Sequence, residues 1–206
     1  MATPVAPFGL RPVRTLSGSP WSASVQHVLM SGAANCFVGD LVKFVTDGAA
    51  AGKVVNGMKC DGMIQGTTQT ATTTGADTIG VIVGFLPDLT NLATNYRVAS
   101  TDRIALVCTG RDVVYEIQED AVGANLAAAD MGLCTAVVVT AGSTTTGRSK
   151  HTIDSSATAA VTATLPVRLI GLAQRPGMTY GTSSTDAAIY EVVLNSAWTG
   201  VMAAGV

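Results

Sequence analysis

Ile104-Ala105-Leu106-Val107-Cys108-Thr109-Gly110-Arg111-Asp112-Val113-Val114-Tyr115-Glu116-Ile117-Gln118 is the stretch that decides the fold class. Two apolar runs rich in strand formers flank a polar tetrad containing glycine, the pattern of a hairpin connection. In the second run Val113, Tyr115 and Ile117 share one face, while Val114, Glu116 and Gln118 share the other, because side chains alternate across a strand. The alternation predicts a half-exposed strand with Glu116 on its wet side.

Similar signals extend in both directions. Residues 25–29 are short and strand-like, and 41–45 follow the turn dipeptide Gly39-Asp40 and are closed by Asp47-Gly48. Gly80-Val81-Ile82-Val83-Gly84-Phe85 is apolar throughout, as expected of a strand covered on both faces. Further strands are predicted at 136–140, 167–172 and 187–194, with Pro166 at the mouth of one, where its missing N–H does no harm. Residues 121–131 contain the three consecutive alanines 127–129, but Gly123 and Gly132 bound these closely, so they predict one helical turn or a loop. Threonine-rich segments at 66–75, 143–147 and 155–164 read as exposed hairpin arms or loops. The resulting class is all-β: a mostly antiparallel barrel or sandwich with Thr-rich loops and little helix.

Composition narrows the function. Charged residues make up 13% of the 206 residues, against about 25% in an average globular protein. Mean hydropathy is +0.39, yet aromatics are only 5%. No run approaches the ~18 apolar residues of a spanning helix, so no membrane partner is expected. Two readings explain the low charge: burial against copies of the same chain, since interface centres are depleted in charge, or a neutral Ser/Thr surface. The first predicts an oligomer. Net charge is −2, with twelve basic and fourteen acidic residues and no basic stripe, which argues against a nucleic-acid partner. Cys36, Cys60, Cys108 and Cys134 are widely separated; this spacing predicts reduced thiols and neither a disulfide framework nor a metal site. The first residues lack the apolar core of a secretory signal, so the chain is expected to be made in the cytoplasm.

Residues 1–22 read as an extended arm ahead of a single β-rich domain at 23–206. Pro4, Pro7, Pro12 and Pro20 each remove a backbone donor and bias the preceding residue toward extended geometry. The arm carries an apolar anchor, Phe8, and two cations, Arg11 and Arg14. Such a segment gains order by lying on something else: its own body, a sister subunit or another partner. No catalytic constellation accompanies it. Ser149, His151 and Asp154 share a polar loop without a nucleophile elbow. Gly48-Ala49-Ala50-Ala51-Gly52-Lys53 lacks the spacing of a phosphate loop. The scattered aspartates suit turns and caps. No enzyme activity and no cofactor is expected.

Phe8-Gly9-Leu10-Arg11-Pro12-Val13-Arg14 resembles the "GFRPVR" opening of tailed-phage head decoration, or cement, proteins. Further segments resemble that family in order: Phe37-Val38-Gly39-Asp40-Leu41-Val42, Ile79-Gly80-Val81-Ile82-Val83-Gly84-Phe85 and Val114-Tyr115-Glu116-Ile117-Gln118. They are followed by Val122-Gly123-Ala124-Asn125, Gly147-Arg148-Ser149 with Ile153-Asp154, and Leu169-Ile170-Gly171-Leu172. The resemblance implies a bacteriophage virion protein on the capsid exterior, commonly a trimer, that clamps neighbouring major capsid subunits. It implies that Phe8, Leu10, Arg11, Pro12 and Arg14 contact the capsid or a neighbouring subunit. A tail-tube or head-fibre component is the alternative among structural proteins. A carbohydrate-binding β-module is another, though such modules usually show exposed aromatic platforms and the two tryptophans, Trp21 and Trp198, both lie near the chain ends.

Overall fold

A computed structural model of the chain describes residues 5–49, 52–69, 78–156, 159–162, 164–181 and 186–195. In chain order the strands are β1 (Arg11–Thr15), β2 (Val25–Met30), β3 (Leu41–Ala49), β4 (Val54–Val55), β5 (Met58–Lys59), β6 (Ile64–Thr68) and β7 (Thr78–Phe85). They continue as β8 (Arg103–Cys108), β9 (Val113–Gln118), β10 (Cys134–Thr135), β11 (Val137–Val138), β12 (Thr152–Ile153), β13 (Val167–Leu172) and β14 (Ile189–Leu194). Helical structure among the described residues is limited to short 3-10 segments at Trp21–Ser24 and Ala128–Asp130. The fold is all-β, as the strand patterns predict.

Two assemblies meet across one shared apolar cluster. Strands β2-β6-β3-β7-β8 close into a barrel, and β1-β9-β14-β13-β10 form a five-stranded antiparallel sheet beside it. The apolar run in β7 is explained by its position between them. Ile79 and Ile82 pack with Val28, Met30, Val42 and Val107 in one apolar cluster. Val81 instead joins Leu41, Tyr115, Ile117, Leu169 and Tyr190 in the cluster shared with the sheet. Strand β14 is covered on both faces in the same way, and only Val193 is less than fully buried.

The hairpin expected across 109–112 is not formed. β8 pairs with β2 and β7, so both its edges are taken inside the barrel, and β9 pairs instead with β1 and β14. The tetrad therefore carries the chain from barrel to sheet. Thr109 donates its N–H to the Ser24 carbonyl at 2.9 Å, and Tyr115 Oη donates to the Cys108 carbonyl at 3.1 Å, which ties the two assemblies together at the crossing. The half-exposed reading of β9 also fails: all six residues are buried, because cations brought from elsewhere in the chain cover the Glu116 face.

Two further departures concern turn and loop segments. β3 runs through Asp47-Gly48 rather than stopping there, and its register against β6 slips between Phe44 and Ala49. A bulge of this kind absorbs turn-forming residues within a barrel strand. The threonine-rich segment begins as barrel wall, with Thr67 and Thr68 in β6; Thr68 is buried and donates to Asp40. Residues 70–77 lie outside the described residues. All four cysteines are buried and none is in a disulfide. No helix among the described residues is long and apolar enough to cross a membrane.

Candidate functional site at the N-terminal arm

The segment read as an arm lies on the chain's own body in this structure. β1 is the edge strand of the five-stranded sheet, antiparallel to β9. Pro12 is tolerated because an edge strand needs only one side of its ladder. Leu10 is the arm residue that enters the main core, at 2% exposure, whereas Phe8 is half-buried under the Arg11 guanidinium, 5.2 Å from its ring centre.

A register shift between Pro12 and Arg14 decides where the cations go. Arg11 pairs with Glu116, and Arg14 pairs with Val114, two residues along the same face of β9. With Val13 as the extra residue of a bulge, both arginines land on one face; regular alternation would place them on opposite faces. That face carries Glu116 directly opposite Glu191 on β14. Opposed like charges are destabilising in a sheet, and here each has its own cation. Arg11 and Arg175 both bond Glu116, and Arg14 bonds Glu191 at 2.5 Å.

Three of the quoted motifs meet behind the arm. Gly9 (φ +75°) and Gly39 (φ +98°) adopt left-handed backbone conformations that favour glycine. A Cβ on Gly9 would lie 2.5 Å from Ser149 Cβ and 2.6 Å from the Gly39 carbonyl oxygen. Leu10 donates its N–H to the Gly39 carbonyl at 3.0 Å, and Ser149 donates to the Val38 carbonyl at 2.9 Å. The arm, the Gly39-Asp40 turn and the Gly147-Arg148-Ser149 loop thus touch through backbone, with no room for side chains between them.

In front of this junction lies a groove of about 340 Å³. It is lined by Phe8, Leu10, Arg11 and Pro12 from the arm together with Trp21, Val38, Val83 and Arg148. Four of the five residues selected from the arm are therefore brought to one place. Arg14 does not line the groove; it sits on the sheet face with Glu191. Sequence reading selected neither Trp21 nor Arg148 for this site, because nothing local marks residues that converge from such separated segments.

No family model, curated protein or solved structure matches the chain.

Beside the junction lie Ser149 and His151, with Asp154 farther along the chain. Ser149 Oγ accepts from the His151 backbone N–H at 3.1 Å, and Asp154 Oδ1 accepts from the Ser156 N–H and hydroxyl. The imidazole meets Asp40 instead: Nδ1 accepts from the Leu41 N–H at 3.4 Å, and Nε2 faces Asp40 Oδ1 at 3.3 Å. Asp40 Oδ2 accepts from the Phe37 N–H and the Thr68 hydroxyl, so this pair braces the Gly39 turn. Among the described residues no group of three or more His, Cys, Asp or Glu side chains is arranged to hold a metal ion.

Burial pushes the His151 pKa down from its usual 6.5, only partly offset by the Asp40 charge. The unfolded chain then takes up a proton that the folded chain refuses, so the stability from the neutral ring is full above pH about 6.5 and falls as pH drops below it. Denaturant titrations of the wild type and His151→Gln from pH 8 to pH 5 should show this. The wild type should lose stability more steeply below pH about 6.5, by up to about 1.4 kcal/mol per pH unit. Equal slopes would contradict the assignment.

Proposed function

We propose that the protein is a head decoration (cement) protein of a tailed bacteriophage, a structural virion component without enzymatic activity. It binds the outside of the shell as a homotrimer and ties neighbouring major capsid subunits together. The observation that carries this reading is the ordered run of motifs from Phe8 to Leu172. It is supported by the meeting of three of them, around Gly9, Gly39 and Ser149, at one backbone junction.

The physical logic is that of a rigid boss with a shaped attachment face. The barrel and sheet share an apolar core, and the arm is fixed to them by Leu10 and by the Glu116 and Glu191 ion pairs. A charged fraction of 13% suits a chain that hides surface against its own copies. Three copies acting together would multiply a modest contact into firm attachment.

The mass of the full chain by light scattering after gel filtration tests the oligomeric part of the reading. A stable trimer is expected. A ring of six or a filament would favour a tail component, and a strict monomer at high concentration would contradict self-association as the reason for the low charge.

A further inference from the structure

We infer that the groove beside the arm docks an extended segment of the partner protein that carries an apolar side chain next to a carboxylate. The identity of that partner as a capsid subunit rests on the proposed decoration function; the chemistry of the groove does not. Its walls are apolar at Leu10, Pro12, Trp21 and Val83. Its volume, about 340 Å³, is at the low end of small-ligand pockets, a size for a few side chains and not for a large cofactor.

The charge of the rim selects the occupant. Two arginines, Arg11 and Arg148, are among the residues that line the groove, and no acidic residue is. Arg11 already serves Glu116. Arg148 is exposed, and among the described residues no hydrogen bond or ion pair engages its guanidinium. Its backbone is nevertheless fixed: the Arg148 carbonyl accepts from Ser143 at 2.8 Å, and the flanking Gly147 and Ser149 both bond Val38. An exposed guanidinium at the edge of an apolar groove, with its planar fork unused, is complementary to a carboxylate.

The mode of docking follows from the strand at the groove edge. Strand addition to a sheet edge requires an unbroken row of donors and acceptors. β1 offers Pro12, which has no N–H, and a bulge at Val13. Both are features that block edge-to-edge pairing. The partner segment is therefore held by its side chains, one apolar group against Trp21 and Val83 and one carboxylate on Arg148.

Trp21 supplies the readout. In a full chain carrying Trp198→Phe, Trp21 is the sole tryptophan, since the sequence has two. Its emission is followed while adding the blocked peptide acetyl-Leu-Glu-Leu-Glu-amide or its neutral counterpart acetyl-Leu-Gln-Leu-Gln-amide. The acidic peptide should give a saturable change at about tenfold lower concentration than the neutral one. Arg148→Gln, an exposed substitution, should abolish that preference without moving the thermal midpoint. No saturable change with either peptide, equal affinities, or a preference that survives Arg148→Gln would overturn the inference. The assay contains no capsid, so its failure leaves the decoration reading standing, and a failure to find the protein on phage heads leaves the groove standing.

Discussion

Gly80→Ala is expected to destabilise the protein by about 3 kcal/mol or more, at or beyond the upper end of overpacking costs. Gly84→Ala, four residues along the same strand, should stay within about 0.5 kcal/mol of the wild type. The difference lies in what a methyl group would meet. At Gly80 the new Cβ would stand 2.2 Å from the Cys108 carbonyl oxygen and 2.9 Å from its carbonyl carbon. Those are main-chain atoms of β8, which are held in the closed barrel by pairing with β2 and β7 and have little freedom to withdraw. At Gly84 the nearest atom is the Leu106 Cδ1 at 3.6 Å, an ordinary contact. Urea midpoints of the two variants check the prediction, and similar values would mean that β7 and β8 do not approach as described.

Arg97→Met is the second variant with a large expected effect, again about 3 kcal/mol or more, from buried carbonyls left without donors. Arg97 is completely buried. Its Nε donates to the Thr101 carbonyl at 2.7 Å, Nη1 to the Ala34 carbonyl at 2.9 Å and the Cys36 sulfur at 3.0 Å, and Nη2 to the Gly32 carbonyl. One side chain thus ties the loop after β2 to the long connection between β7 and β8. Lysine would not restore it, because a single ammonium cannot span the same fork of acceptors. The measurement is a urea midpoint, joined to the reactivity of Cys36 with a thiol reagent under native conditions. Cys36 is buried, with its thiol pKa pushed up by burial, and should react slowly in the wild type and faster in the variant. Unchanged stability and unchanged reactivity would show that the arginine is dispensable there.

The strands that could be read from the sequence are those whose burial is written in their own residues. β7, β8, β13 and β14 are apolar or β-branched over most of their length, and that pattern has few other uses. β1 was hidden because Pro12 and two arginines argue for an arm, and only its place at a sheet edge makes them compatible with a strand. The exposed reading of Glu116 failed for a non-local reason. The cations that cover it come from Arg11 and Arg175, and no pattern within β9 announces them.

The candidate site was legible in the same uneven way. Phe8, Leu10, Arg11 and Pro12 do line one groove, and Leu10 also reaches the main core, which no pattern within the arm announces. Gly9 and Gly39 stood out only as parts of motifs; their physical role, close backbone contact at a junction, requires the tertiary structure. Asp40 and His151 brace that junction from distant parts of the chain, and Arg148 reaches the groove from a third segment. Arg97 left no sequence signal, because a buried arginine satisfied by carbonyls looks like any surface arginine in a loop.

The most direct test of the proposed decoration function is immunogold electron microscopy of particles purified from the source of this chain, using antibody raised against the purified protein. Label distributed over the outer surface of the head, with none on the tail, is the expected result. Label confined to the tail, or particles that carry no label while the chain is present in the lysate, would contradict it.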